Sequence, residues 1–489
     1  MERIKTEMNA YTTVLLKNVV CEESADAIVP DTEPDLLRII CAQGSVDLQE
    51  ESFQKDRAMV SGTIRACVLY LPEKEEKPRK IEIPISFAHM EEAKGIGEGC
   101  QGMIGCTVLH VHARGVNSRK ISVTASLQVS YEVYRKTKTE LCTDILSPEY
   151  PLEILQGKKV ISLPVKMQSK PLTILEDLEL TEKNSAFLPP RCEIQTEDMK
   201  MMPGKAVIRG SARVQQTVLR EDGQITAITH QLPFTHILEM EEGEEGDLPQ
   251  ISFGVRNISC VQRDDHTISV GVTADTLLRV YEEREIPMIL DLYQMDHDLK
   301  TRAENVVLYG EEPIPQREFT YETIVETGNE AIQILDCYGV WEKQLQSRGL
   351  PINVHLLYLA DDQKPYSLLR RFTVLLEGDA ELIPEQVMLT VAPVLSGKDG
   401  IRLKIRGQCQ GMQETRTVVS DLQEVQLASE EPRETKPFHV VVRYMEQGEN
   451  LWEAAKKYHT TRQAIREANH LPQTEEQAEQ GILLIPVKG

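Results

Sequence analysis

Strand-like landmarks return along this chain at a nearly fixed spacing. Gly62 and Gly210 are 148 residues apart, and Tyr134 and Tyr281 are 147 apart. Gly62 sits in the run Val60 to Leu71, and Gly210 holds the same place in the run Lys205 to Val214. Ile83-Pro84-Ile85 is matched by Leu232-Pro233-Phe234, and Ile121 to Val129 by Ile268 to Val272. Within these runs apolar and polar residues alternate. Period two gives a strand one apolar and one polar face, the pattern of an antiparallel sheet buried on one side. A third copy is more worn. Leu356 to Leu359 echoes Val68 to Leu71, and Ile401 to Ile405 echoes Ile121 to Ala125. Phe372 to Val374 takes the place of the proline strand but lacks the proline.

The predicted architecture is therefore mainly β: tandem antiparallel β-sandwich-like modules, then a small βααβ unit at the C-terminus. Residues 1–25 read as a weakly patterned lead-in with one strand expected around Thr12 to Val20. The modules are assigned to residues 26–150, 171–305 and 316–426. Residues 427–437 form a polar, Pro-containing linker, and 438–489 the terminal unit. Gly157, Pro164, Pro313 and Pro315 lie where the joins between modules are expected.

The totals narrow the partners. The chain has 489 residues and a formal net charge of −23. That balance disfavours nucleic acid and anionic membrane surfaces, which attract basic proteins. No run approaches the ~18 apolar residues of a membrane span. The first residues lack the apolar stretch of a signal peptide, so a cytoplasmic protein is expected. Ten cysteines show no repeating spacing and read as small buried hydrophobes.

The terminal unit is the most specific stretch. Val440 to Val442 is short and β-branched, so it reads as a strand. Asn450 is a good N-cap, with Glu453 three residues on. Leu451, Ala454, Ala455 and Tyr458 then form one apolar stripe. Thr460 with Gln463 opens a second helix, which Asn469 ends ahead of Pro472. Gly481 to Pro486 is a second strand. Trp452 lies one residue off the stripe, and a half-exposed position is expected for it.

These residues resemble a LysM domain. The resemblance rests on Gly448-Glu449-Asn450-Leu451-Trp452, Ala454 to Tyr458, Ile465 to Asn469 and Gly481 to Pro486. LysM domains usually bind N-acetylglucosamine glycans through loops beside the strands. The family usually has Gly-Asp-Thr in the first loop, where this chain has Gly448-Glu449-Asn450, and that departure counts against glycan binding. The β copies resemble the SPOCS domain of bacterial sporulation proteins. That resemblance rests on Pro34-Asp35, the Gly62 strand ending in Leu69-Tyr70, and Ile83-Pro84, in that order and repeated. Together the two resemblances imply a family of spore-coat morphogenetic scaffolds, at the forespore surface in the mother cell. The implied partner is a SpoIVA-like coat morphogenetic ATPase, with other coat proteins besides. The implied partner-binding residues are Glu449, Asn450, Trp452, Arg466 and His470. The alternative is a peptidoglycan-binding protein acting through LysM.

Sites of chemistry are not legible in the residue pattern. There is no phosphate-cradling Gly-rich loop followed by Lys-Ser/Thr and no His-Glu-x-x-His. No catalytic residue, cofactor or metal is expected. His110 and His112 share a strand face but show no third ligand. His230 and His236 flank the Leu232-Pro233 strand. The acidic run from Glu239 to Asp247 reads as a solvated hairpin tip.

Overall fold

A computed structural model describes residues 1–75, 77–180, 184–240, 247–264, 266–346, 348–377, 382–397, 400–429, 431–432, 439–445, 450–472 and 481–487. The chain is mainly β, with antiparallel pairing throughout. Most of the 427–437 segment, the glycines of the acidic tip and Glu449 lie outside the described residues.

The first repeat contains β1 (Glu2–Ile28), β2 (Leu36–Gln54), β3 (Arg57–Pro72), β4 (Arg79–Glu92), β5 (Cys100–Asn117) and β6 (Lys120–Leu146). Its strands form two three-stranded sheets, in the orders β1-β6-β5 and β2-β3-β4. The apolar sides of the two sheets share one core, which includes Val60, Ile64, Val68, Ile83, Val123 and Tyr131. The β2–β3 hairpin closes through Lys55 and Asp56, both with positive φ. A two-residue turn of that kind matches the twist of the strands it joins.

The same plan recurs twice. The second repeat holds β7 (Leu152–Glu179), β8 (Asn184–Phe187), β9 (Arg191–Met202), β10 (Lys205–Arg220), β11 (Ile225–Glu239), β12 (Leu248–Gln262) and β13 (Thr267–Gln294). The third holds β14 (Leu299–Val325), β15 (Ala331–Trp341), β16 (Gly349–Ala360), β17 (Pro365–Leu375), β18 (Ile383–Leu395) and β19 (Ile401–Leu427). Their sheets follow the orders β12-β13-β7 and β14-β19-β18, with β9-β10-β11 and β15-β16-β17 opposite.

The recurring glycine has a packing reason. A Cβ on Gly210 would stand 2.1 Å from the Gln195 carbonyl oxygen and 2.8 Å from the Phe234 ring. At Gly62 it would meet the Asp47 carbonyl oxygen at 2.5 Å and the Phe87 ring at 2.9 Å. A phenylalanine therefore lies over each glycine, and these pairs fix the true register. Gly62 faces Phe87 and Gly210 faces Phe234, whereas Pro84 faces Arg65 and Pro233 faces Ser211. The match of Pro84 to Pro233 is thus corrected by two residues. Proline marks an edge strand in both repeats without holding one fixed rung.

Two further expectations are corrected. Residues 1–25 are no lead-in: they belong to β1, which pairs with β6 from Glu2 to Ile28. The expected joins around Gly157 to Pro164 and Pro313 to Pro315 lie inside β7 and β14. These long strands run past their own module as two-stranded arms. Met8, Leu141, Ile161, Leu163, Ile286, Met288, Leu308 and Val419 form one core from all three arms. A second shared core joins Cys142, Ile145, Ile289, Leu292 and Leu422. Each such side chain contributes roughly 1.5–3 kcal/mol when fully buried, so the arms hold the repeats against one another. At the other end Ile40, Leu69, Leu188, Leu219 and Leu357 close a third shared cluster.

The C-terminal unit runs β20 (Val440–Met445), α1 (Leu451–Lys457), α2 (Arg462–Asn469) and β21 (Gly481–Pro486). The two strands pair antiparallel from Val440–Pro486 to Met445–Gly481. Asn450 caps α1, its side chain accepting from the Trp452 backbone N–H at 2.9 Å. The second cap is Thr461, one residue later than Thr460, with its hydroxyl accepting from the Ala464 N–H at 3.0 Å. Thr460 instead turns its carbonyl toward the second arm.

Candidate functional site

Polar chemistry gathers at the seat of the C-terminal unit on the second arm and in a cavity between the repeats. Trp452 belongs to the first. The expectation of a half-exposed edge residue is overturned, because Trp452 is 1% exposed. It packs edge-on against Tyr293 of β13, with ring centroids 4.9 Å apart. Its indole N–H donates to Asp291 Oδ2 at 2.8 Å. Lys456 Nζ reaches both oxygens of the same carboxylate at 2.7 Å. The Tyr293 hydroxyl donates to the Thr460 carbonyl at 2.6 Å. Arg462 lies over the outer face of the indole at 5.1 Å. The sequence could not show this, since Asp291 and Tyr293 lie about 160 residues upstream of the helix they hold.

The other expected contact residues scatter. Asn450 and His470 are exposed, and Arg466 is half-buried on α2. His470 closes α2 in the left-handed conformation, at φ 56°. Asn469 ties α2 to β21, donating to the Leu484 carbonyl and accepting from its N–H, both at 2.7 Å.

Partial burial raises the pKa of Asp291, but the bonds from Lys456 and Trp452 outweigh that effect and hold it below the usual value. The carboxylate therefore strengthens docking most above the ordinary aspartate range. The contribution fades as pH falls through the depressed value. Asp291→Asn should weaken docking by about 1–3 kcal/mol. Amide exchange of α1 checks this: protection should drop in the variant at neutral pH, and in the native protein only in acid.

The cavity has a volume of about 430 Å³ and takes its walls from all three repeats. Ser45, Glu132, Arg191, Tyr338, Lys343 and Glu385 are among its polar lining. Behind one wall lies Arg279, 2% exposed. Its guanidinium stands 3.3 Å from Glu132 and 3.6 Å from Glu311, and bonds Glu385. It also donates to the Tyr134 hydroxyl and Ser252 Oγ, each at 3.1 Å. Glu132 and Arg279 each stand two residues before the landmark tyrosine of their repeat, so one position carries opposite charges in two copies. Burial pushes both Glu132 and Glu385 up. Arg279 and Lys343 bring Glu132 below the usual range, while Glu385, beside Glu132, stays above it.

At the opposite wall Arg191 pairs with Asp336 at 3.1 Å and stacks 3.4 Å above the Tyr338 ring. Asp336 also accepts from Thr217, which shares a hydrogen bond with Gln43. Burial lowers the pKa of the neighbouring His355 to about 4. The Cys106 thiol is pushed up to about 12 by burial and by Glu51, so it keeps its proton.

Residues 190–262 match the family model described as SipL, SPOCS domain. The match spans β9 to β12 of the second repeat, and it supports a SipL-like relationship and a sporulation-related protein. No curated protein and no solved structure matches the chain.

Among the remaining histidines, His236 bonds the Thr276 hydroxyl at 3.2 Å and is buried. His110 is half-buried and His112 exposed. All ten cysteines are free.

Proposed function

We propose that this protein is a non-enzymatic scaffold of bacterial spore-coat assembly. In this reading the LysM-like C-terminal unit docks on a SpoIVA-like coat morphogenetic ATPase, and the β body tethers the coat to the forespore surface in the mother cell. The observation that carries it is the SPOCS match inside a β block used three times. A strand-helix-helix-strand unit at the end of the chain supports it. So does the cavity: its paired charges and protonated Cys106 thiol resemble a structural seam more than a reactive centre.

Burial of Trp452 moves the expected contact surface to the outer face of the unit, around Asn450 and His470. The test is capture of purified SpoIVA-like ATPase by the full chain and by a chain lacking residues 438–489. Full capture by the shortened chain would sink the reading. Asn450→Ser with His470→Asn, which keep a capping side chain on α1 and a residue tolerant of the left-handed turn after α2, should reduce capture by about tenfold while α1 and α2 stay folded, the scale of losing one binding hot spot. Retention on cell-wall sacculi, blocked by chito-oligosaccharides, would favour the peptidoglycan reading instead.

A further inference from the structure

In the first repeat, three side chains of metal-ligating type converge where the edges of its two sheets meet. Cys21 and Glu23 lie two apart on β1 and so share a face. His89 comes from β4, the edge of the opposite sheet. His89 Nε2 stands 3.0 Å from Cys21 Sγ and 3.0 Å from Glu23 Oε1. One ligand atom from each of the three lies within 4.8 Å of the others, and all three residues are half-buried. The Phe87 ring stacks on the imidazole, with centroids 6.1 Å apart.

The fold does not require polar groups at this seam. Cys21 and Glu23 face Leu127 and Ala125 on β6. The corresponding rungs carry Leu172 and Ile174 in the second repeat, facing Ala274 and Val272. In the third they carry Phe319 and Tyr321, facing Gly407 and Ile405. The position of His89, two beyond Phe87, holds His236 in the second repeat and, in the third, falls on Leu376 just past β17, where its N–H donates to the Arg348 carbonyl. Two copies thus close the seam with largely apolar contacts, and among the described residues only the first assembles a thiol, a carboxylate and an imidazole at one point.

We propose that Cys21, Glu23 and His89 hold one zinc-class divalent cation that ties β1 to β4. Sulfur with imidazole selects a borderline-soft cation over calcium or magnesium. On binding, the Cys21 thiol gives up its proton to solvent; the resulting thiolate and the Glu23 carboxylate together neutralise the dication, so the filled site carries no net charge. Tetrahedral zinc holds sulfur and nitrogen at about 2.3 and 2.0 Å, which sets those two atoms roughly 3.5 Å apart. The ring and the sulfur need only part by about half an ångström, a small motion for half-exposed side chains. A water would complete the shell.

The test is titration of the metal-stripped full chain with cobalt(II), followed by displacement with zinc. One cobalt per chain should bind with a thiolate-to-cobalt absorption band in the near ultraviolet. Cys21→Ser and Cys21→Leu should both abolish the band, the leucine matching the residue that the second repeat already uses. His89→Ala should weaken binding by roughly tenfold or more. Unchanged circular dichroism in Cys21→Leu separates loss of a ligand from loss of fold. Absence of stoichiometric binding at micromolar cobalt, binding without the band, or a band that survives both Cys21 variants would overturn the proposal.

Discussion

Arg279→Ala is expected to destabilise the folded body by about 3–5 kcal/mol, the scale of breaking a buried ion pair from one side. The guanidinium is 2% exposed and is the nearest cation to the carboxylates of Glu385 and Glu311. Its removal leaves largely buried acidic groups without their guanidinium partner. Those groups come from different repeats, Glu132 from the first and Glu311 and Glu385 from the third. The damage should therefore fall on the seam between repeats rather than on any one core. Chemical denaturation measures it, and a loss below about 1 kcal/mol would contradict a buried network. Replacing the whole cluster with Arg279→Met, Glu132→Gln, Glu311→Gln and Glu385→Gln should recover most of the loss, because the guanidinium and the three carboxylates it faces are then removed together.

Trp452→Ala should cost about 3–5 kcal/mol, the usual loss for a fully buried large aromatic. A core in a unit of this size rarely supplies more than about 3–5 kcal/mol. The variant should accordingly lose the folded, docked C-terminal unit while the β body stays intact. Hydrogen exchange reads both at once: α1 and α2 amides should lose protection, and β3 and β10 amides should keep theirs. Unchanged protection of the helices would mean that the indole is not part of that core. This replaces the sequence-based expectation of a half-exposed partner-binding residue. The helical stripe of Leu451, Ala454 and Ala455 correctly marked the inner side of α1. It could not show that a second surface, the arm bearing Asp291 and Tyr293, covers the next position as well.

Much of the secondary structure could be read in the residues. Alternation located β3, β4 and β6, and the glycine landmarks marked real close approaches under Phe87 and Phe234. Asn450 was correctly identified as a cap because a cap is a local device that needs only the next two or three residues. The arms were missed for a physical reason. β1 carries an irregular pattern, because its first part buries Met8 and Ala10 in the core shared with the other arms while Val14, Leu15, Val19 and Ala25 pack on the core of its own repeat. Proline and glycine at Gly157, Pro164 and Pro313 resemble breaks in a sequence, yet edge strands accept them.

The seam of Cys21, Glu23 and His89 and the charges around Arg279 share one property. Each joins residues tens to hundreds of positions apart, chosen by register across sheets. The sequence alone determined that this chain builds antiparallel sheets three times over and ends in a small helical unit, because side-chain period and capping are short-range properties. Tertiary structure alone decided that the copies share cores, that Trp452 is buried, and which polar groups meet. Those outcomes depend on which faces are left to pack against each other once every strand has paired.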